Sequence, residues 1–191
     1  MKKLVALFLA MTMMVTLAGC GNKGNSGTDA PKAEIASCED LLNQVWDTFG
    51  ENEKFAVYGG DFGTLVDGAA GPFTLEDPEM LTYTLYIPTE EIEKIDAAAS
   101  LIHAMNSNTF TGAAFHVTDP ANVDGLVEAL KENIMNTQWI CGFPDSLNIF
   151  VVNGEYVVSA FGNAEIMENF KTKLTEVFGE SAVLAVEESL V

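Results

Sequence analysis

The chain has 191 residues, of which 28 are acidic and nine basic, giving a formal charge of −19. A hydrophobic fraction of 48% excludes an acidic disordered protein, and this length suffices for one ordinary core. The charge excludes a nucleic-acid binder, which needs a basic footprint to displace counterions. All nine basic residues are Lys, so no guanidinium fork is present to clamp phosphate or carboxylate groups.

Lys2 and Lys3 precede an uncharged apolar run from Leu4 to Thr16. The run is shorter than the roughly 20 residues a spanning helix needs, and it suits the apolar region of a signal peptide. Leu17-Ala18-Gly19-Cys20 follows and resembles the lipobox of bacterial lipoproteins. That resemblance implies cleavage before Cys20 and diacylglyceryl attachment to its sulfur. The expected organisation is a signal peptide at 1–19, a lipidated Cys and flexible linker at 20–36, and one acidic domain at 37–191. The sixteen Gly-, Asn- and Ser-rich residues after Cys20 have an r.m.s. reach of about 20–24 Å. The domain itself holds 26 acids against five Lys, a charge of −21 that an anionic membrane repels.

With Cys20 lipidated, Cys38 and Cys141 remain. The sequence leaves open whether they form a disulfide or stay as two buried thiols. No CxxC pair points to redox or zinc chemistry.

Ser37 and Asp40 form a near capping box, and Leu41, Leu42, Val45, Trp46 and Phe49 follow at helical spacing before Gly50. Gly59 to Gly71 carries five Gly, with Asp61 and Asp67 its only charges, and reads as a loop. Leu81 to Ile87 suggests a strand. A helix is expected from Thr89, with Ile92, Ile95, Ala99, Ile102 and Met105 on its apolar face. Phe110 to Val117 reads as a strand. Asp119-Pro120 starts a helix with the stripe Val123, Leu126, Val127, Leu130 and Ile134. Leu147 to Val152 and Glu155 to Phe161 flank Asn153-Gly154, a hairpin signal. A two-residue turn there would pair Val151 with Tyr156, Ile149 with Val158 and Phe150 with Val157. Both hairpin faces are apolar, which places it inside the fold. The last helix starts near Asn163 and carries Ile166, Met167, Phe170, Leu174, Val177 and Phe178. Ser181 to Val191 shows no clear period. The expected fold is α+β: a small, mostly antiparallel sheet with the Asn-Gly hairpin, packed against about four amphipathic helices.

The order of lipobox, linker, early helix, Phe115-His116-Val117, Asp119-Pro120-Ala121-Asn122-Val123 and the hairpin Asn148 to Val158 resembles a family of small lipoproteins from Gram-positive anaerobes. These contain a domain of unknown function. The resemblance covers about residues 76 to 178 and implies lipoprotein status and the fold class, without supplying catalytic residues. Phe143-Pro144 departs from the Tyr-rich stretch expected there, as does the Gly-rich segment at 59–71.

Tests for catalytic motifs fail. Asp61-Phe62-Gly63 lacks every other element of a kinase site, and no Ser sits in a GxSxG elbow. Cys141 precedes Gly142 without a nominated base. His103 and His116, the only imidazoles, have no tight ligand spacing around them. Glu76, Asp77 and Glu79, like Glu90, Glu91 and Glu93, read as first turns of helices.

The sequence therefore points to a lipid-anchored extracytoplasmic module on the cell membrane that is not an enzyme, uses no cofactor or metal, and engages an envelope protein. The alternative is capture of a small molecule or cation. In that reading Gly59, Gly60, Asp61, Gly63 and Asp67 supply a ligand loop, and Tyr83, Tyr86, Trp139 and Phe143 line a pocket.

Overall fold

The computed structural model describes residues 33–191, so the signal peptide, the lipobox with Cys20 and the linker as far as Lys32 lie outside the described residues. From Ala33 the chain is already docked. Its N–H donates to Asn153 Oδ1 at 2.8 Å, and Asn153 Nδ2 donates to its carbonyl at 2.9 Å. Helix α1 (Cys38–Trp46) then begins with the expected reciprocal cap. Ser37 Oγ accepts from the N–H of Asp40, whose carboxylate accepts from the N–H of Ala36.

Helix α2 (Pro78–Leu85) replaces the strand expected over Leu81 to Ile87. Asp77 accepts from the Met80 N–H at 3.0 Å and Pro78 opens the helix, so this start overrides the β-favouring Thr and Tyr that follow. The helix expected from Thr89 is also overturned. A 3-10 turn over Thr89–Lys94 leads directly into strand β4 (Ile95–His103). Ala98 to Ile102 are all buried, because β4 lies in the sheet with both faces covered. Such a strand has no alternation, and its residues fall on helical spacing by coincidence.

Eight strands form the sheet of the described residues, all pairs antiparallel. The other seven are β1 (Val57–Gly59), β2 (Val66–Asp67), β3 (Gly71–Phe73), β5 (Phe110–Val117), β6 (Ser146–Val152), β7 (Tyr156–Gly162) and β8 (Ala182–Ser189). Their order is β2-β1-β4-β5-β7-β6-β8, with β3 beside β1 on the same edge of β4. A Cβ on Gly59 would lie 2.2 Å from the Gly71 backbone nitrogen, so these strands meet only as glycine.

Helices cover both faces. On one, α1 and α4 (Ala164–Phe178) bury Leu41, Val45, Phe170 and Leu174 against Leu101, Phe110, Phe150 and Val158. On the other, α2 and α3 (Val123–Met135) bury Leu85, Leu126, Leu130 and Ile134 against Ile102, Phe115, Ile149 and Phe161. The result is an α+β fold with four α-helices among the described residues.

The hairpin register differs from the expected one. Asn153 and Gly154 do take positive φ, 56° and 75°. Glu155, however, is a third loop residue, since its N–H closes the turn on the Val152 carbonyl and its carbonyl accepts from Val117 N–H. The pairs are therefore Val152 with Tyr156, Val151 with Val157 and Phe150 with Val158, each displaced by one residue.

The tail without a period forms β8, the edge beyond β6. A bulge opposite Ile149 and Phe150 leaves Ala185 unpaired and breaks the alternation. Lys131 of α3 bonds Glu188 at 2.7 Å and Lys171 of α4 bonds Glu187 at 2.8 Å, gripping the strand from both faces.

Cys38 and Cys141 are not bridged. Cys38 is buried beneath the sheet face that α1 covers, whereas Cys141 is exposed in the loop after α3, on the other face. Burial, then the neighbouring Glu39, pushes the Cys38 thiol up to about 12. A maleimide should therefore label Cys141 and spare Cys38 in the folded chain, with both labelled after denaturation. Phe170→Ala should cost about 3–5 kcal/mol in denaturant titration, because this fully buried ring packs 5.2 Å from Phe110.

Candidate functional site

Helical cover on the α2–α3 face ends before the strands do. At the end of the sheet bearing the β4–β5 turn, four loops and helix ends enclose an open cleft of about 710 Å³. Tyr58 and Ile102 form part of the floor, and Tyr86 and Trp139 stand over Phe161 with ring centroids 5.0–5.4 Å apart. The rim is apolar and exposed: Phe62 and Met105 are each 84% accessible, Tyr83 81% and Ile140 79%. Lone exposed apolar residues are ordinary, but several on one rim mark a binding surface.

Polar side chains among the lining fix these walls by bonding to backbone. Asn108 Nδ2 donates to the carbonyls of Ile140 and Gly142, both at 3.0 Å. Asn106 Nδ2 donates to the Cys141 carbonyl at 3.1 Å, so the β4–β5 turn grips the loop after α3. Asn133 Nδ2 donates to the Tyr86 carbonyl at 2.7 Å and ties α3 to the end of α2. Tyr86 and Cys141 hold φ of 59° and 64°, an unfavourable region for such side chains that these bonds maintain.

Asp61 anchors the fourth wall. Its Oδ1 accepts from the N–H groups of Gly63 and Thr64 at 2.7 and 2.9 Å, and Oδ2 accepts from Thr74 N–H at 2.9 Å. These bonds, that from Thr74 foremost, hold its carboxyl below the usual range. From behind, Asn43 pairs with both backbone groups of Ala70, and Trp46 Nε1 donates to Gly68 at 3.0 Å. The Gly-rich stretch is thus a pinned wall carrying β1, β2 and β3. Gly60 and Asp61 line the cleft, while Gly59, Gly63 and Asp67 do not.

Tyr83, Tyr86 and Trp139 also line it; Phe143 is exposed outside the lining. Burial pushes the Tyr86 phenol up, with Tyr83 adding to the effect. His103 is present, but its Nδ1 accepts from the N–H groups of Met105 and Asn106 and its ring stacks on Phe55. Its other nitrogen therefore carries the proton, and among the described residues no hydrogen bond joins it to the Cys141 thiol. His116 lies at the opposite end of the strands, paired with Asp96. No group of three His, Cys, Asp or Glu among the described residues is placed to hold a metal ion. Asn106, Asn108, Asn133 and Ile140 carry no periodic or motif signal. Met105 falls on the apolar face of an expected helix that does not form, and Phe62 lies in an Asp-Phe-Gly triplet without its context. Only the Asn-Ser-Asn run at 106–108 marks the turn itself.

Comparison with protein-family models, curated proteins and solved structures finds no match to this chain.

Asp61→Asn turns an amide toward the Thr74 N–H and should loosen the β1–β2 connection. Because the folded carboxyl titrates below the unfolded one, its stabilisation is complete above about pH 4 and is lost as pH falls through the folded value. Protection factors at Gly63, Thr64 and Thr74, taken against the intrinsic exchange rate at each pH, should therefore fall in acid in the parent chain. In Asp61→Asn they should be low already at neutral pH.

Proposed function

We propose that this chain is a lipid-anchored extracytoplasmic binding protein, not an enzyme, which captures a small ligand in the cleft between α2, α3 and the pinned Gly-rich wall. The cleft carries the reading, since about 710 Å³ lies within the range of small-molecule sites, about 300–1,000 Å³. Its lining mixes aromatic and aliphatic groups with Asn, Thr and Gln side chains, and several of these also bond to the backbone of the walls.

The direction of the cleft supports anchoring through Cys20. Ala33 meets the domain at the β6–β7 turn, whereas the cleft opens at the β4–β5 turn. The eight residues of β5 separate these ends by about 23 Å. A domain tethered by its N-terminus thus carries the cleft at the end distal to its point of attachment. The exposed rim favours a second reading, an accessory module that seats an apolar segment of an envelope protein on Phe62, Tyr83, Met105 and Ile140.

Cys20→Ser should move the protein out of the membrane fraction; full retention would overturn the anchor. Full-length protein in phosphatidylglycerol nanodiscs, titrated with the neutral probe phenylbutanol, should show a saturating change in tryptophan fluorescence. Empty discs and Trp139→Phe provide the blanks. Phe62→Ser combined with Ile140→Ser should weaken binding about tenfold, equivalent to about 1.4 kcal/mol. No saturation, or no effect of the double variant, would overturn capture in the cleft.

A further inference from the structure

We infer that the cleft takes a small organic cation: an ammonium or amidinium group carried on an apolar or aromatic body. This rests on the reading of the cleft as a ligand site and specifies what enters it.

The first observation is where the positive charge lies. All five Lys among the described residues are placed elsewhere. Lys94 bonds Glu91, Lys131 bonds Glu188, Lys171 bonds Glu168 and Glu187, Lys173 faces Glu53, and Lys54 lies 5.5 Å above the Trp46 ring. None lines the cleft, and the chain has no Arg. Residues 37–191 meanwhile carry −21. An anion entering the cleft would lose water without meeting a countercharge, and the field of the whole domain would oppose it.

The second observation is the direction of two helices. The C-terminal ends of α2, at Tyr86, and α3, at Asn133 to Thr137, converge on the cleft. Each end carries a partial negative charge equivalent to about half an elementary charge. Helices often place Lys or Arg in the last turn to offset this, and neither α2 nor α3 does. Both ends, though capped by neutral donors such as Asn133 Nδ2 on the Tyr86 carbonyl, lack a basic partner and border one cavity. Asp77 and Glu79, which with Tyr83 line the adjoining hollow, add to the same field.

The third is the lining itself. Tyr58, Tyr83, Tyr86, Trp139, Phe62 and Phe73 surround the space, and aromatic faces attract cations. Asp61 is not the counter-ion, since both its oxygens are occupied by backbone donors. Attraction comes from ring faces and helix ends, so the ligand needs positive charge and apolar bulk rather than a carboxylate-pairing geometry.

The test compares three probes with one apolar body: phenylbutylamine, phenylbutanol and phenylbutyrate, on the full-length chain in nanodiscs with the same blanks. The amine should bind about tenfold tighter than the alcohol, and the carboxylate weakest. Raising salt from about 20 mM to about 500 mM should weaken the amine several-fold and leave the alcohol unchanged. Gln138→Lys places a cation in the cleft wall just after α3 and should abolish the preference for the amine, the ratio of amine to alcohol affinity being the readout. Equal binding of all three probes, or tighter binding of the carboxylate, would overturn the inference while leaving the cleft a ligand site. Failure of every probe to bind would overturn both.

Discussion

The central strands have no wet face, and the architecture follows from that constraint. In β4, β5, β7 and β6, residues pointing either way are buried, so the sheet must be covered twice. Four α-helices of eight to fifteen residues provide that cover, two on each side. On the α1–α4 side the cover is complete. On the other, α2 is only eight residues long, and loops close what it leaves. The cleft is the gap in that second layer. The same burial requirement that assembles the core thus determines where a ligand can reach it.

Loop walls hold their shape only if their backbone groups are satisfied, and here short polar side chains do this. Asp61, Asn106, Asn108 and Asn133 each bond to main chain of a different segment. Aromatic and aliphatic groups share the rest of the cavity wall with Thr82, Thr84, Thr137 and Gln138.

Helices with one dry face and clear end signals were legible: α1 from its cap, α3 from Asp119-Pro120 and α4 from its stripe. Strand β5, though dry on both faces, was legible from its flanking turns. The same kind of signal at Asp77-Pro78 announces α2, and the alternating Thr and Tyr after it conceal it. Strand β4 was misread because its run of three Ala favours helix and burial on both faces erases the period of two. Strand β8 was invisible because the bulge at Ala185 interrupts its alternation. For the site, Gly60, Asp61, Tyr83, Tyr86 and Trp139 could be nominated from glycine content and aromatic placement. The clamping Asn residues could not, because their roles depend on carbonyls about 32 to 47 positions away in sequence.

Strand β8 also sets an order for assembly. Strand β6 is apolar on both faces, and among the described residues its outer edge gains a partner only from residues 182–189. A polypeptide emerging N-terminus first therefore carries an open, aggregation-prone edge on β6 until residues 182–189 follow. The two Lys that grip β8 are already waiting on α3 and α4, so closure of the sheet also discharges the two acids it carries. A chain that lacks residues 182–189 would have β6 without that seal, its outer edge open to other strands.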